Sequence, residues 1–232
     1  MKHTRGLVAV PKQELTTSAR ELIKRELTVF PVSTSSFSMN PEPIRLWAES
    51  DSHLHVPRGY FTEHMKRFDP SWDFRFSEGE CELPATTPIT PREGQEQVIA
   101  DAVRTLSARP FGGVIIEAAV GSGKTVLSLE TARRLGRKIL VVVHTSVLMD
   151  QWITEIKRFF PEWSVGKIRG DTIDTENNPI CVGMLQSLSM KDDYPEWLYR
   201  EFGTIIVDEI HVCGSAEFKN CLLYTSDAAD EG

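Results

Sequence analysis

A glycine-rich turn followed by a lysine and a threonine is the part of this sequence best suited to chemistry on a phosphate. The turn has the form of a phosphate-binding loop in which Ala118 stands where the general pattern has glycine. Gly121 and Gly123 allow backbone N–H groups to approach phosphate oxygens closely. Lys124 brings a positive charge to the β- and γ-phosphates, and Thr125 offers a hydroxyl to Mg²⁺. The predicted ATP-binding residues are Ala119, Val120, Gly121, Ser122, Gly123, Lys124 and Thr125.

Two adjacent acids, Asp208 and Glu209, follow the apolar run Thr204 to Val207. Such a run predicts a buried parallel strand, and an acid at its carboxyl end points into the crevice where these sheets bind ligands. We expect Asp208 to hold Mg²⁺ through water, and Glu209 to orient and deprotonate the water that attacks the γ-phosphate. An acidic pair on a solvated surface is the alternative. Lys124, Asp208 and Glu209 are thus the predicted catalytic residues.

Arg92 and Gln95 precede an amphipathic helical pattern that lies before the phosphate loop. Because they are three residues apart, their side chains can share one face at the helix start. A glutamine amide carries an acceptor and donors, so it can read the N6 and N7 edge of adenine. We therefore expect Arg92 and Gln95 to contact the nucleotide.

The elements that must position these groups alternate between strands and helices. Residues 114–118 predict the strand leading into the phosphate loop, and residues 126–135 predict the helix after it, closed by Gly136. Other strands are predicted at 138–143, 165–168, 180–184 and 204–207, and other helices from Thr145 or Ser146 and at 195–202. This alternation predicts an α/β fold with a doubly wound parallel sheet.

The N-terminal part lacks a phosphate motif and reads as a small α+β region. Ser18 to Glu21 has the form of a capping box that opens a helix ending near Leu27. Short strands are predicted at 27–30, 44–48 and 53–56, and a proline-rich linker at 84–91. We expect an accessory region at residues 1–85, with DNA recognition as its candidate role, and the nucleotide-binding domain at residues 86–220.

Composition excludes several classes of protein. No apolar run approaches the roughly 18 residues of a membrane span, and the first residues lack the apolar segment of a signal peptide. The 4 cysteines are far apart in sequence, which argues against a zinc or disulfide framework. The net charge of −7 implies that any nucleic-acid contact comes from a local groove. We expect a soluble, intracellular protein.

The last residues, 221–232, need a separate interpretation. Cys221 to Glu231 resembles the in-frame translation of a sequencing adapter, which would make it a non-native tail. A natural acidic C-terminus is the alternative. If the adapter origin holds, the native chain continues beyond this point and the sequence is a fragment.

Together these motifs resemble those of superfamily 2 helicases of the XPB/UvsW type, including helicases of phages and large DNA viruses. The resemblance covers about residues 92–220 and implies the first RecA-like domain of such a motor. Arg92 and Gln95 are similar to the adenine-sensing Q motif, and residues 118–125 are similar to motif I. Residues 208–211 are similar to a DEAH-like motif II.

The resemblance also implies residues that contact nucleic acid. Residues similar to motifs Ia and Ic would touch the strand, namely His144, Thr145, Ser146, Gln186 and Ser187. In the family, the histidine corresponding to His211 couples the nucleotide site to the nucleic-acid site. This sequence departs from the family pattern at Ile210, where alanine is common, and at His144, where proline is usual.

The function that the resemblance implies is an ATP-dependent DNA helicase or translocase that uses ATP and Mg²⁺ and binds duplex or branched DNA. The family's motif III and second RecA-like domain, with its arginine fingers, do not occur before the chain ends. The chain alone is therefore expected to hydrolyse ATP weakly and not to unwind DNA. The alternatives are the motor subunit of a restriction enzyme, an RNA helicase, and a nucleotide-binding regulatory module without motor activity.

Overall fold

The computed structural model describes residues 7–30, 43–71, 83–108, 112–119, 121–189, 194–195, 197–198 and 201–209. The chain divides into two compact units, residues 1–75 and 76–232. The division precedes the predicted boundary at residue 85 because the proline-rich segment is bonded to the second unit: Leu83 N donates to Gly136 O at 3.3 Å, and Trp163 Nε1 donates to Pro84 O at 3.2 Å. The predicted tail at 221–232 lies outside the described residues.

The first unit is α+β, as predicted. Its elements are β1 (Leu7–Pro11), α1 (Thr17–Glu26), β2 (Thr28–Val29), β3 (Ile44–Arg45), β4 (Ala48–Glu49), β5 (His53–Pro57) and α2 (Arg58–His64), with 3₁₀ turns at Lys12–Glu14 and Met65–Arg67. Strand β5 lies between β1 and β4 in an antiparallel sheet, and β2 pairs with β3. Val8, Val10, Leu54 and Val56 alternate along β1 and β5 and are buried, which fixes one face of this sheet inward.

Helix α1 does not begin with the predicted capping box. Thr16 is its N-cap, and the Thr16 Oγ1 accepts a hydrogen bond from Ala19 N at 3.2 Å. The box prediction was wrong because Ser18 already lies within the first turn. A second difference is β1, which was not predicted from the sequence.

The second unit contains the predicted parallel sheet. Its helices are α3 (Gln95–Ser107), α4 (Lys124–Leu135), α5 (Ser146–Phe159) and α6 (Leu185–Ser189), and its strands are β6 (Ile139–Val143), β7 (Val165–Arg169), β8 (Thr172–Asp174), β9 (Ile180–Met184) and β10 (Thr204–Val207). The spatial order is β10-β6-β9-β7-β8. The first four strands are parallel, and β8 returns antiparallel to β7. The predicted RecA-like α/β class is confirmed.

Helices cover both faces of this sheet. Along β6, Ile139, Val141 and Val143 pack in a core with residues of α4 and α5. The alternate residues Leu140 and Val142 pack on the opposite face, in a second core that includes α6. Burial on both faces explains why β6 is an unbroken apolar run, and it makes the sheet doubly wound.

Residues 112–119 form neither helix nor strand, so the predicted strand at 114–118 was wrong. Ile115 is 76% exposed, and β10 is the edge strand of the described sheet. A strand is held by hydrogen bonds to a neighbouring strand, and apolar composition alone does not provide them.

Three further elements differ from the sequence-based expectation. Strand β8 and the five-residue helix α6 were not predicted. The helix predicted at 195–202 falls partly outside the described residues, with Trp197 and Leu198 helical. None of the helices that the structure describes has the length and apolar character to cross a bilayer.

Candidate nucleotide-binding site

The phosphate loop is a tight turn that leads directly into α4. Ser122 N and Oγ both donate to Ala119 O, at 3.2 and 2.6 Å. Gly121 and Gly123 have positive φ angles of 80° and 87°. Residues that carry a side chain rarely adopt positive φ angles, so glycine at these two positions is what permits the turn.

The N-terminus of α4 is built in the way that binds a phosphate. Gly123 is its N-cap, and no side chain caps the first amides. These amides and the positive end of the helix dipole favour an anion at this position. Lys124, the first residue of α4, is exposed, and Thr125 is half-buried beside it. The residues present therefore fit the phosphates of a nucleotide.

Gln95 joins this loop to the start of α3. Its Nε2 donates to Ser122 O at 2.8 Å, and its Oε1 accepts from Arg92 N at 2.8 Å. Gln95 is 8% exposed, so it lies beneath the loop rather than on the open surface. An amide can make up to four hydrogen bonds, so these two contacts leave capacity for a base, and adenine recognition stays a prediction.

Arg92 does not share a helix face with Gln95. Helix α3 begins at Gln95, its N-cap Gly94 has a φ of 82°, and Arg92 lies before the helix with an exposed side chain. The expectation of one shared face differs from the structure because the helix starts later than its amphipathic pattern suggested. Arg92 is linked to Gln95 through its backbone, and its contact with the nucleotide stays a prediction.

Strand β10 delivers the two acids to the carboxyl edge of the sheet. Asp208 N donates to Val142 O at 3.2 Å, which extends the parallel ladder by one residue beyond Val207. Helix α4 packs against β10. The helix that carries Lys124 and Thr125 therefore lies alongside the strand that ends in Asp208.

Asp208 is held by a tryptophan from α5. The Trp152 Nε1 donates to Asp208 Oδ2 at 2.7 Å. Within the described residues no cluster of three or more histidine, cysteine or acidic side chains forms a metal site. Mg²⁺ commonly binds through one or two carboxylates together with water and substrate phosphates, so Asp208 beside a phosphate loop fits such an ion.

Glu209 has an unusual backbone. Its φ is 54°, in the left-handed region, and its side chain is exposed. A residue other than glycine in this region carries strain of order 1–3 kcal/mol, and strain of this kind clusters at active sites. The turn after Asp208 therefore directs Glu209 away from the path of a continued strand.

The residues predicted to contact nucleic acid at the start of α5 lie beyond the end of β6. Thr145 is exposed and caps α5, since its Oγ1 accepts from Leu148 N at 3.3 Å. Ser146 is half-buried and is the first residue of α5. The Nδ1 of His144 is buried, and no residue in the described ranges bonds to it. These three residues are neighbours at the carboxyl edge that also carries Asp208.

The remaining predicted contact residues have different environments. Gln186 is exposed at the start of α6. Ser187 is buried, and its Oγ accepts from Gly170 N at 2.9 Å, so its hydroxyl supports a turn inside the protein. Val120 and His211 fall on residues outside the described set.

The buried carboxylate of Glu130 holds α4 in place. The Glu130 side chain is 0% exposed and accepts from Arg133 Nε and Arg134 Nε, both at 2.8 Å, and from Ile89 N at 3.2 Å. Burial alone would raise the pKa of Glu130, but the two guanidinium groups outweigh it and hold the pKa below its usual range. Arg134 also bonds Glu96 of α3 at 2.6 and 2.7 Å, so this cluster ties α3 to α4.

Two supporting residues, Trp152 and Glu130, were absent from the sequence-based site. Trp152 was not among the predicted site residues, although a buried indole N–H needs a hydrogen-bond partner, and that need was the available signal. Glu130 is buried on α4 beside Leu127 and Leu129, and a buried acid indicates a paired charge.

Comparison with known proteins places this site in a family. Residues 88–229 match the family model described as "Type III restriction enzyme, res subunit". The match includes the phosphate loop, Asp208 and Glu209.

Three relatives are viral or phage proteins. A protein of Acanthamoeba polyphaga mimivirus, named as a candidate ATP-dependent RNA helicase, is 29% identical over 199 residues, covering 84% of this chain and 37% of the relative. A protein of African swine fever virus, also named as a candidate ATP-dependent RNA helicase, is 26% identical over 140 residues, covering 58% and 27%. A candidate helicase of Escherichia phage T5 is 32% identical over 108 residues, covering 47% and 23%. The chain thus spans less than two fifths of the length of these relatives.

Proposed function

This chain belongs to the family described as "Type III restriction enzyme, res subunit", and from that premise we propose that it carries the ATP-binding motor domain of a DNA helicase or translocase. We assign it to the XPB/UvsW type of superfamily 2. Nucleotide binding is proposed for this chain, and unwinding or translocation for the whole protein to which such a domain belongs. We place that protein inside the cell, where ATP and nucleic acid occur together.

One observation carries the nucleotide part of the proposal. Helix α4 presents an uncapped N-terminus, behind a turn that requires Gly121 and Gly123, beside the strand that ends in Asp208. The helix start binds the phosphates through its backbone amides, and Lys124 adds its charge at the β- and γ-phosphates. Thr125 and Asp208 would hold Mg²⁺, which would supply charge neutralisation at the γ-phosphate.

Glu209 is the proposed general base. It accepts the proton of the water that attacks the γ-phosphorus, and the bond to the β,γ-bridging oxygen breaks as the new bond forms. The strained backbone of Glu209 favours this assignment, because such strain is retained where the surrounding structure requires a particular side-chain direction. We expect slow hydrolysis by this chain alone, because arginine fingers from a second motor domain contribute about 10³–10⁵ in rate.

Fluorescent ATP binding tests the nucleotide site. Lys124→Ala should remove most of the ATP binding. Lys167 lies on β7, which is separated from β10 by β6 and β9, so Lys167→Ala should leave ATP binding unchanged. Equal affinity of the Lys124→Ala variant and the unaltered protein would reject the proposal. In a full-length relative, the substitution corresponding to Glu209→Gln should trap ATP without turnover, and retained hydrolysis would reject Glu209 as the base.

DNA is the proposed nucleic-acid substrate, duplex or branched, with His144, Thr145, Ser146 and Gln186 as its contacts. The family description, which names a restriction enzyme subunit, favours DNA and also supports a restriction motor as an alternative. The names of the mimivirus and African swine fever virus relatives favour RNA as a second candidate. Competition between matched DNA and RNA duplexes decides between them, because only RNA offers 2′-hydroxyl groups.

A regulatory nucleotide-binding module remains the alternative outside the motor class. Motor function predicts that nucleic acid accelerates ATP hydrolysis by the full-length protein. A rate that stays the same across a titration with DNA and RNA would favour the regulatory module.

A further inference from the structure

Trp152 connects two parts of the second unit that the proposed function treats separately. It lies on α5, the helix that Thr145 caps and Ser146 begins, and its indole nitrogen donates to the carboxylate of Asp208 at 2.7 Å. The two residues are 56 positions apart in sequence. This contact joins the helix next to the proposed DNA contacts to the proposed Mg²⁺ ligand.

The indole leaves one carboxylate oxygen for a ligand. Trp152 bonds Oδ2 of Asp208, while Oδ1 has no hydrogen-bond partner in the described part of the chain. A hydrogen bond to one oxygen fixes the rotation of a carboxylate, so the other oxygen points in a defined direction. Partners of this kind orient metal ligands, and their loss commonly reduces metal affinity or activity by 10- to 100-fold.

The indole is itself held firmly. Trp152 is 6% exposed and belongs to the core that contains Leu129 of α4, Val143 of β6 and Ile156 of α5. Its ring therefore lies within a core to which α4, β6 and α5 all contribute. A shift of α5 would move the N–H group and, with it, the oxygen that Asp208 presents.

We propose that Trp152 is a positioning residue for Asp208, so that the position of α5 sets the Mg²⁺ affinity of the nucleotide site. The inference rests on the proposed function, because it assumes that Asp208 serves a bound Mg²⁺. It adds a route by which nucleic acid at the start of α5 alters the metal site, through one side chain. Trp152 does not touch the reacting atoms in this assignment.

The primary test compares two conservative variants of the full chain. Trp152→Phe removes the N–H group and keeps an aromatic ring. Trp163→Phe is the matched control, because Trp163 is also buried in the same core and also donates an indole hydrogen bond, to Pro84 O at 3.2 Å. Each variant loses one indole hydrogen bond and a similar side-chain volume. The fall in melting temperature therefore measures the cost of the substitution to stability, separately from any effect on Mg²⁺.

The readout is the Mg²⁺ dependence of fluorescent-nucleotide binding. In EDTA, both variants should bind within about twofold of the unaltered protein, because the amides of the phosphate loop are unchanged. In Trp152→Phe, the Mg²⁺ concentration that gives half of the maximal effect should rise about tenfold or more. In Trp163→Phe it should not change. Coincident Mg²⁺ titrations for Trp152→Phe and the unaltered protein, or equal shifts in both variants, would overturn the inference.

A double variant distinguishes a positioning role of Trp152 from a general loss of structure. If Trp152 acts through Asp208, adding Trp152→Phe to Asp208→Ala should cause no further loss of Mg²⁺ affinity. Additive losses would overturn the inference. A protein that binds no nucleotide in either EDTA or Mg²⁺, by contrast, would reject the proposed function itself.

NMR of the unaltered indole covers the case in which Trp152→Phe does not fold. The indole N–H resonance that shifts in Asp208→Ala should also be the one that shifts when Mg²⁺ is added to the nucleotide-bound protein. Responses from different indoles, or from none, would contradict a link between Trp152 and the metal ligand.

Discussion

The Gln95 side chain fastens the phosphate loop to the start of α3, since its Nε2 donates to Ser122 O at 2.8 Å while its Oε1 accepts from Arg92 N at 2.8 Å. The loop that would surround the phosphates is thus held by a residue 27 positions earlier in the chain. Because Gln95 is buried, we expect it to influence nucleotide binding through the geometry of the loop as well as through any contact with the base.

Gln95→Glu should weaken nucleotide binding by about tenfold, because it replaces the donor to Ser122 O with an acceptor and leaves a part-buried carbonyl unpaired, at about 1–3 kcal/mol. The affinities for ATP and GTP should fall together if the residue acts through the loop. Fluorescent binding assays with both nucleotides measure this. A loss confined to ATP would instead assign Gln95 to adenine recognition.

Gly123→Ala should impair both the loop and the Gln95 contact. A Cβ at this position would lie 2.7 Å from Gln95 Nε2, and the φ of 87° disfavours any side chain. We expect nucleotide affinity to fall at least tenfold. The control is Gly136→Ala, which has a similar φ of 72° but no atom within 4 Å of the added carbon.

The control variant separates strain from contact. Gly136→Ala should lower thermal stability, by about 1 kcal/mol, and leave nucleotide affinity unchanged. Equal affinities for the two glycine variants would mean that the contact with Gln95 does not matter to binding.

Glu130→Ala should destabilise the second unit by about 3 kcal/mol, because it leaves two guanidinium groups without their buried partner. For a chain of this size, that corresponds to a fall in melting temperature of about 10 °C. Glu96→Ala removes the exposed partner of Arg134 and should change the melting temperature little. Calorimetry of both variants tests the difference, and similar melting temperatures would contradict the assigned role of Glu130.

The first unit should lose stability in acid through Glu49. Hydrogen bonds from Lys12 and then Lys24, at 2.8 and 2.9 Å, lower the pKa of Glu49 to about 2. Because the folded-state pKa lies below the ordinary value of 4.5, the carboxylate stabilises the unit above pH 4.5, and this contribution is lost as the pH falls towards 2. Carbon NMR titration of the Glu49 carboxyl measures the midpoint.

Lys12→Gln provides the matched variant for this titration. It should raise the midpoint of Glu49 towards 4.5, because the largest cause of the shift is removed. A midpoint that stays the same in the variant would show that Lys12 does not set the pKa of Glu49.

The strands that the sequence predicted well are those buried on both faces. Residues of β6 and β9 are all buried, so their unbroken apolar runs identified them without any knowledge of neighbours. The end of helix α4 was predicted equally well, because a glycine follows its last residue. In the structure Gly136 ends the helix with a φ of 72°. In contrast, β8 is mostly exposed and exists only through its pairing with β7, which composition does not encode.

Features of the candidate site likewise differ in how well the sequence predicted them. The glycines of the loop and the acids after β10 follow from local rules of turns and strand ends. The contacts that position them do not, because Gln95 meets Ser122 and Trp152 meets Asp208 only once the chain has folded. Ser187 illustrates the opposite case, since a motif resemblance implies that it contacts nucleic acid, whereas in the structure it is buried and its Oγ accepts from Gly170 N.

The edge position of β10 has a practical consequence for handling the protein in solution. In the described sheet β10 has one neighbour, β6, and the four residues of β10 are only half-buried. A strand edge of this kind can pair with the same edge on another molecule. Self-association along this edge would join folded molecules through backbone pairing, and the onset of light scattering would then depend on protein concentration more than on temperature.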